Sequence, residues 1–582
     1  MGKLIKYLRN YKKESIIGPL FKLLEACFEL IVPLIMANII DVGIKNRDFP
    51  YILQMGSILV AFGVLGLACS LTAQYFAAKA AVGFGTELRH DLFQHIGTLS
   101  YAEIDKAGAS TLVTRMTSDI NQAQSGVNLV LRLFLRSPFI VVGALAMAFT
   151  ISVKVSMIFV IAVPLLAIVI YGIMMITIPL YRKVQKGLDR VLLTTRENLS
   201  GIRVVRAFCT QEREQKEFAE ESDALMKIQL LVGKVSALLN PVTYVIVNVA
   251  IIFIVWFGGK EVDAGALSQG EVIALINYMS QILLALVALS NLIITFTKAL
   301  ASAGRINEVF ALKPSVETKE DGIRTGKEES GTTPKIAFRH VDFMYQGDKS
   351  PVLSDLNFEI HGGETIGIIG GTGSGKSTLV NLIPRFYDVT EGQILVDGVD
   401  VRDYDMESLR KKFGVVPQKA VLFQGTIREN MRYGKEDATE EEIWQALRIS
   451  QAEEVVMHKS AGLDEVIREG GKNLSGGQKQ RLTIARALVR NPEILILDDS
   501  ASALDFATDA KLRKALREHT KGMTVLLVSQ RAASIMHADR ILVLDGGKAV
   551  GFGTHEELLR TCSVYREICY SQLSKEEVEC HA

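Results

Sequence analysis

Charge of one sign is what this 582-residue sequence lacks: 65 Lys and Arg stand against 64 Asp and Glu, for a net +1. Proteins whose main partner is nucleic acid carry a clear basic excess, so no nucleic acid is expected. Cysteine is scarce too. The six, Cys27, Cys69, Cys209, Cys562, Cys569 and Cys580, are scattered without a C-x-x-C pair, which argues against a zinc site or a disulfide framework and fits thiols in a reducing compartment. No cleavable signal sequence is read at the start, where MGKLIKYLRNYKKE is basic and short. Leu4, Ile5 and Leu8 along one stripe suggest an interfacial helix on the cytoplasmic side, with a frayed basic tail as the alternative. Hydrophobic residues make up 49%. With a mean hydropathy of +0.24 over 582 residues, the chain is too apolar for an ordinary soluble enzyme and too long for one domain, so a membrane part is expected.

Six stretches, at about residues 16–40, 52–78, 130–151, 155–177, 237–258 and 271–299, are long enough to cross roughly 30 Å of hydrocarbon as helices. None recurs after about residue 300. Pro19, Pro33, Pro138, Pro164, Pro179 and Pro241 lie in or beside these segments, which membrane helices tolerate when neighbours satisfy the freed carbonyls. Short links join the first to the second, third to fourth and fifth to sixth segments. The long connections, about 79–129 and 178–236, carry many Lys and Arg, so the positive-inside rule puts them and both termini in the cytoplasm of a multi-pass protein of the cell membrane. The helices are expected to extend well beyond the lipid bilayer.

Residues about 311–334 (ALKPSVETKEDGIRTGKEESGTTP) are polar and lack helical periodicity, as a linker does. Beyond them, short β-type runs (TIGIIG, EILILDD, TVLLVSQ) alternate with helical stretches, the pattern of a mostly parallel sheet covered by helices. The fold class expected is an all-α six-helix transmembrane domain (1–310), a linker (311–334), an α/β P-loop ATPase domain (335–575) and a tail (576–582).

The buried-strand run Ile366-Gly367-Ile368-Ile369 feeds Gly370-Gly371-Thr372-Gly373-Ser374-Gly375-Lys376-Ser377-Thr378, which has P-loop spacing. Glycines let backbone N–H groups close around a polyphosphate, and the following helix presents its positive end. Lys376 can reach the terminal phosphates and Ser377 can ligate Mg²⁺. Downstream, Glu493-Ile494-Leu495-Ile496-Leu497-Asp498 is an apolar strand ending in a carboxylate, the Walker B arrangement in which Asp498 holds Mg²⁺.

Just before that strand stands Leu474-Ser475-Gly476-Gly477-Gln478. With it, essentially the whole chain resembles the ABC transporters. The resemblance implies a dimer whose two ATP molecules each lie between the P-loop of one domain and the LSGGQ of the other. It also implies that Tyr345 stacks on adenine, that Gln418 is the Q-loop glutamine that senses Mg²⁺ and contacts the membrane domain, and that Ser502-Ala503-Leu504-Asp505 is the D-loop. Phe423 to Ile427 with Asn430, and Glu469-Gly470-Gly471, look like the exporter pattern. Ile104-Asp105, Gly108, Leu112, Arg115 and Asp119, and Glu197 to Phe208, resemble the two coupling regions, which should dock on ATPase domains.

Two positions depart from the family pattern. Where a glutamate usually orients or deprotonates the attacking water, this chain has Asp499, one methylene shorter, and where the switch histidine is expected it has Gln530. Glutamine cannot carry imidazole's charge, though it can hydrogen-bond a phosphate. Both changes fall in the site built on this chain's own P-loop, whereas its LSGGQ, which serves the partner, is intact. A heterodimer with a second half-transporter is favoured; a homodimer with two weak sites is the alternative.

Three functions fit: an exporter of drugs, lipids or other amphipathic small molecules, a dedicated peptide exporter, and an ATP-dependent gate or sensor. The first leads, because the first membrane segment begins within about fifteen residues, leaving no room ahead of it for the protease domain common in peptide processors. Glu25 and Glu29 lie one turn apart in the first segment. They either face a cavity for cationic substrates or pair with Lys22 or cytoplasmic water.

Overall fold

The computed structural model describes residues 2–317, 319, 321–324, 333–500 and 503–573. Part of the linker, Ser502 of the D-loop, Cys580 and the 576–582 tail therefore lie outside the described residues. The chain divides into two compact units, Met1–Gly97 with Ala109–Leu312, and Thr98–Gly108 with Lys313–Ala582. The five described cysteines are free.

The first unit contains six helices long and apolar enough to cross a membrane: Leu4–Ile44, Phe49–Thr98, Ala109–Ile151, Val153–Ser200, Gln211–Asp263 and Gln269–Ala311. They run 41 to 53 residues, which at about 1.5 Å per residue is roughly 60–80 Å and at least twice the hydrocarbon thickness. The apolar stretches thus lie toward one end of longer rods whose other ends continue through the charged connections. Pro19, Pro33, Pro164 and Pro179 stand inside helices. Pro138 and Pro241 fall in the first turn of Arg136–Ile151 and Leu239–Asp263, where a missing N–H costs no intrahelical bond.

Small residues let the first two helices approach closely. A side chain on Gly18 would meet the Ala77 N at 3.3 Å and the Ala73 O at 3.5 Å. Phe159, Leu166, Ile254, Leu275, Tyr278 and Ile282 form the centre of the helical core. Val60, Leu71, Ile161, Ile168, Ile252 and Leu284 are instead 62–72% exposed, an apolar surface that water would not tolerate at this extent and that hydrocarbon would cover.

The N-terminal residues Gly2–Tyr11 are helical, with the tight 3₁₀ spacing. Side chains three apart stack in such a helix, so Leu4 and Tyr7 are buried while Ile5 is 59% exposed. This corrects the expected Leu4, Ile5, Leu8 stripe. The carboxylates of the first span are paired: Lys22 Nζ lies 2.6 Å from Glu25 and also donates to Ser70 Oγ at 3.2 Å. Glu29 takes a guanidinium from another helix, Arg136 at 2.8 Å, rather than Lys22. Pairing is therefore what the structure holds for both.

In the second unit a six-stranded sheet runs in the order Lys548–Gly553, Arg540–Asp545, Thr365–Gly370, Thr524–Val528, Ile494–Asp498, Phe413–Val416. All pairings are parallel except that of the Lys548–Gly553 edge strand. Ile494–Asp498 and Thr524–Val528 are buried at every residue, because a parallel sheet is covered on both faces; hence the unbroken apolar runs. A second, antiparallel sheet of four strands contains Ile336–Phe343 and Leu353–Ile360. The ordering brings the ends of Thr365–Gly370 and Ile494–Asp498 to the two sides of Thr524–Val528, and that edge carries the site.

Candidate nucleotide site

The strand Thr365–Gly370 ends in a loop that turns through left-handed glycines, Gly373 at φ +81° and Gly375 at φ +94°, before the helix Lys376–Leu382. A side chain on Gly371 or Gly373 would meet nothing within 4 Å, so both face open space on the outer side of the loop. Lys376 is 8% exposed, and its Nζ donates to the Gly370 and Gly371 carbonyls at 2.8 and 2.7 Å. Burial pulls its ammonium below the usual lysine range, with Asp499 and Asp498 opposing that fall.

Across from it, Ser377 Oγ donates to Asp498 Oδ1 at 3.0 Å. Asp498 is 7% exposed. Burial raises its carboxyl above the usual range, the Ser377 hydroxyl lowers it again, and the neighbouring Asp499 adds to the rise. Asp499 takes a left-handed turn, φ +45°, with its N–H on the Val528 carbonyl at 3.0 Å; aspartate is among the few residues that bear this conformation at low cost. Its Oδ2 accepts from Gln418 Nε2 at 3.5 Å, the outer limit of a hydrogen bond. Burial raises the Asp499 carboxyl, and Gln418, Lys376 and Arg531 pull it back.

Tyr345 stands half-buried with its hydroxyl 3.0 Å from Thr378 Oγ1. Its ring meets Tyr387 edge-on at 5.4 Å. Tyr387, which sequence reasoning missed, donates its hydroxyl to Asp105 Oδ2 at 2.6 Å, while the Tyr101 ring lies tilted against Phe386, centroids 4.7 Å apart. The helix Tyr101–Ala107 thus belongs to the second unit. Of the other residues in that first coupling region, Asp119 is buried and bound to Arg115 at 2.9 Å and to Arg305. In the second region the helix Ile202–Ala207 has no buried residue, and Phe208 after it is 75% exposed.

The signature residues form a second group. Ser475 caps the helix Gly476–Val489: its Oγ accepts from the Gln478 N–H at 3.3 Å, and its own N–H donates to Gln478 Oε1 at 3.0 Å. This capping box fixes the start of the helix and leaves Ser475 and Gly476 exposed. A side chain on Gly477 would approach the Ala503 O at 3.2 Å, so the signature abuts the D-loop. Leu474 is buried beneath it, and Asp505 caps Phe506–His519 through the Thr508 N–H at 2.9 Å. Among the described residues no hydrogen bond or ion pair joins Gly370–Thr378 to Leu474–Gln478.

Residues 15–286 match the ABC transporter transmembrane region, and residues 353–502 match the ABC transporter family. An uncharacterized ABC transporter ATP-binding protein of Mycobacterium tuberculosis is 37% identical over 575 residues, 98% of each chain. The chain belongs to the ABC transporter family. An ATP-dependent lipid A-core flippase of Syntrophus aciditrophicus is 34% identical over 492 residues, 84% of this chain and 81% of that one. The solved structure of a bacterial Atm1-family ABC exporter with ATP bound has the same fold, with a TM-score of 0.79 over 97% of this chain and 99% of that one at 24% identity. As an ABC transporter the chain is a multi-pass membrane protein with an ATP-binding, ATP-hydrolysing domain on the cytoplasmic side.

Proposed function

We propose that this ABC transporter chain is one half of a dimeric exporter that moves amphipathic small molecules, drugs or lipids, out across the cell membrane. In this reading residues 1–310 are the membrane domain, 311–334 the linker and 335–575 the ATPase domain. Similarity to a lipid flippase over most of both chains supports the substrate class. So does the apolar outer surface of the six helices, which places any cavity between them within reach of the bilayer.

The residues present fit magnesium. Ser377 and Asp498 offer a hydroxyl and a carboxylate oxygen 3.0 Å apart, the hard, sparse donor set that Mg²⁺ combines with phosphate and water. When bound, the ion would neutralise charge on the phosphates. Gly370 to Gly375 would turn backbone N–H groups toward the phosphates. Lys376 would exchange its two carbonyl partners for phosphate oxygens, and Thr378 would hold Tyr345 for stacking on adenine. Gln418 would link this site to the membrane domain, and Leu474 to Gln478 with Asp505 would close on the partner's nucleotide.

The chain's own site is then slow and the partner's fast, in a heterodimer. The observation that carries this asymmetry is the short side chain of Asp499, whose Oδ2 only just reaches Gln418 at 3.5 Å. A base held about 1 Å too far from its water loses on the order of a hundredfold in rate. Gln530 can accept or donate a hydrogen bond at the γ-phosphate but cannot supply a positive charge. The test is ATP turnover of the purified chain alone and with its partner, with Asp499→Glu and Gln530→His. Slow turnover alone, rising in the two variants and with the partner, is expected; robust turnover by the unmodified chain alone refutes the slow site and favours a homodimer.

A further inference from the structure

The last turn of the helix Ser563–Gln572, the last among the described residues, carries a side chain that has no part in the site described above. Gln572 closes the helix Ser563–Gln572. Its Nε2 donates to the Gln530 carbonyl at 2.8 Å, and its Oε1 accepts from the Ala532 N–H at 2.8 Å. The two bonds straddle Arg531. A primary amide that donates and accepts at once, to backbone groups two residues apart, fixes the orientation of both peptide planes between them.

The helix that holds Gln572 is itself firmly seated. Tyr565 and Cys569 are completely buried, and Ile568 and Leu573 pack on the same core, which includes Ala532 and Ile535. The near end of the loop is fixed as well. The Ser529 N–H donates to the Ile368 carbonyl at 3.1 Å, on the strand that leads into the P-loop, and the Arg531 N–H donates to Ser529 Oγ at 3.0 Å. Between these anchors, the direction of the Gln530 and Arg531 side chains depends on the backbone that Gln572 holds. The Asp499 N–H is bonded to the Val528 carbonyl at 3.0 Å, directly before this loop, and the Arg531 guanidinium lies 5.0 Å from the ring centre of Phe506, next to Asp505.

We propose that Gln572 is a positioning residue for ATP hydrolysis: its side-chain amide clamps the switch loop from the helix Ser563–Gln572 and so sets where Gln530 and Arg531 stand against Asp499. The proposal rests on the reading of residue 530 as the switch position. Gln572 is exposed, so its replacement leaves the core untouched. Gln572→Ala removes both bonds. Gln572→Glu keeps the acceptor for Ala532 but sets a carboxylate against the Gln530 carbonyl.

The test uses the full chain in lipid nanodiscs, unmodified and in the Asp499→Glu/Gln530→His background, each with Gln572→Ala and Gln572→Glu. Hydrogen exchange over residues 529–535 and the kcat and KM for ATP are measured. Both Gln572 variants should speed exchange of the loop. In the activated background they should lower kcat about tenfold, a displacement well under 1 Å being enough, with KM for ATP and Tm held. Unchanged loop exchange overturns the proposal, and so does an unchanged kcat in a background that turns over. If the Asp499→Glu/Gln530→His pair brings no gain because the unmodified chain is already fast, the slow-site reading fails on its own, and the kcat-against-KM split is read on the unmodified chain. If neither background turns over, loop exchange alone decides.

Discussion

Lengthening Asp499 by one methylene, Asp499→Glu, should speed ATP turnover by the chain purified without its partner. The carboxylate now sits at the outer limit of hydrogen bonding to Gln418, 3.5 Å. A glutamate extends the carboxylate by roughly the 1 Å whose absence typically costs a hundredfold in rate, equivalent to about 2.7 kcal/mol of activation free energy. The gain comes with a loss. Residue 499 has φ +45°, a conformation that glutamate bears less well than aspartate, so stability should fall by about 1 kcal/mol. Expected, then, are a kcat for ATP up by about two orders of magnitude, an unchanged KM for ATP and a slightly lower Tm. Phosphate release from protein in nanodiscs reads the first two, and thermal unfolding the third. A kcat within about threefold of the unmodified chain would refute the argument that reach limits this site.

Three other outcomes follow from the same geometry. Lys22→Met leaves Glu25 buried without its cation and should destabilise the membrane unit by about 3 kcal/mol, whereas Lys22→Met with Glu25→Leu should recover most of the loss in thermal melts; equal Tm values for the single and double variants would contradict the buried pair at 2.6 Å. Tyr387→Phe keeps the ring against Tyr345 but loses the bond to Asp105, so ATP binding should persist while substrate stimulation of ATPase falls a few-fold. Burial raises Asp498 and Asp499 above their ordinary values, so the folded state binds these protons more tightly than the unfolded state. Lowering the pH into that raised range should therefore stabilise the nucleotide-free protein relative to Asp498→Asn, and the Tm gain from MgATP should shrink over the same range, because magnesium needs the ionised carboxylate. Parallel pH trends in the unmodified chain and Asp498→Asn would contradict this assignment.

The elements legible in the sequence were those whose cause is local. Twenty consecutive apolar residues can be stable in only one solvent, so the six membrane segments were evident, though their ends were not. The helices run on through charged stretches because backbone hydrogen bonding continues after hydropathy stops. The P-loop, Walker strand and signature were legible for a similar reason: each chemistry needs a fixed spacing of glycines, a lysine, a hydroxyl or a carboxylate, and the structure places these on the expected strand ends and helix starts.

What the sequence could not specify are the pairings between distant residues. Glu29 with Arg136, Tyr387 with Asp105, and Gln572 with the backbone at Gln530 and Ala532 join positions 107, 282, and 42 and 40 residues apart. At the N-terminus the 3₁₀ turn, not an α-helical period, sets the buried side, so Leu4 shares it with Tyr7 and Ile5 does not. Spacing along the chain reports which chemistry is possible at a residue. Which partner meets it depends on how strands and helices cross, and only the packed tertiary structure decides that.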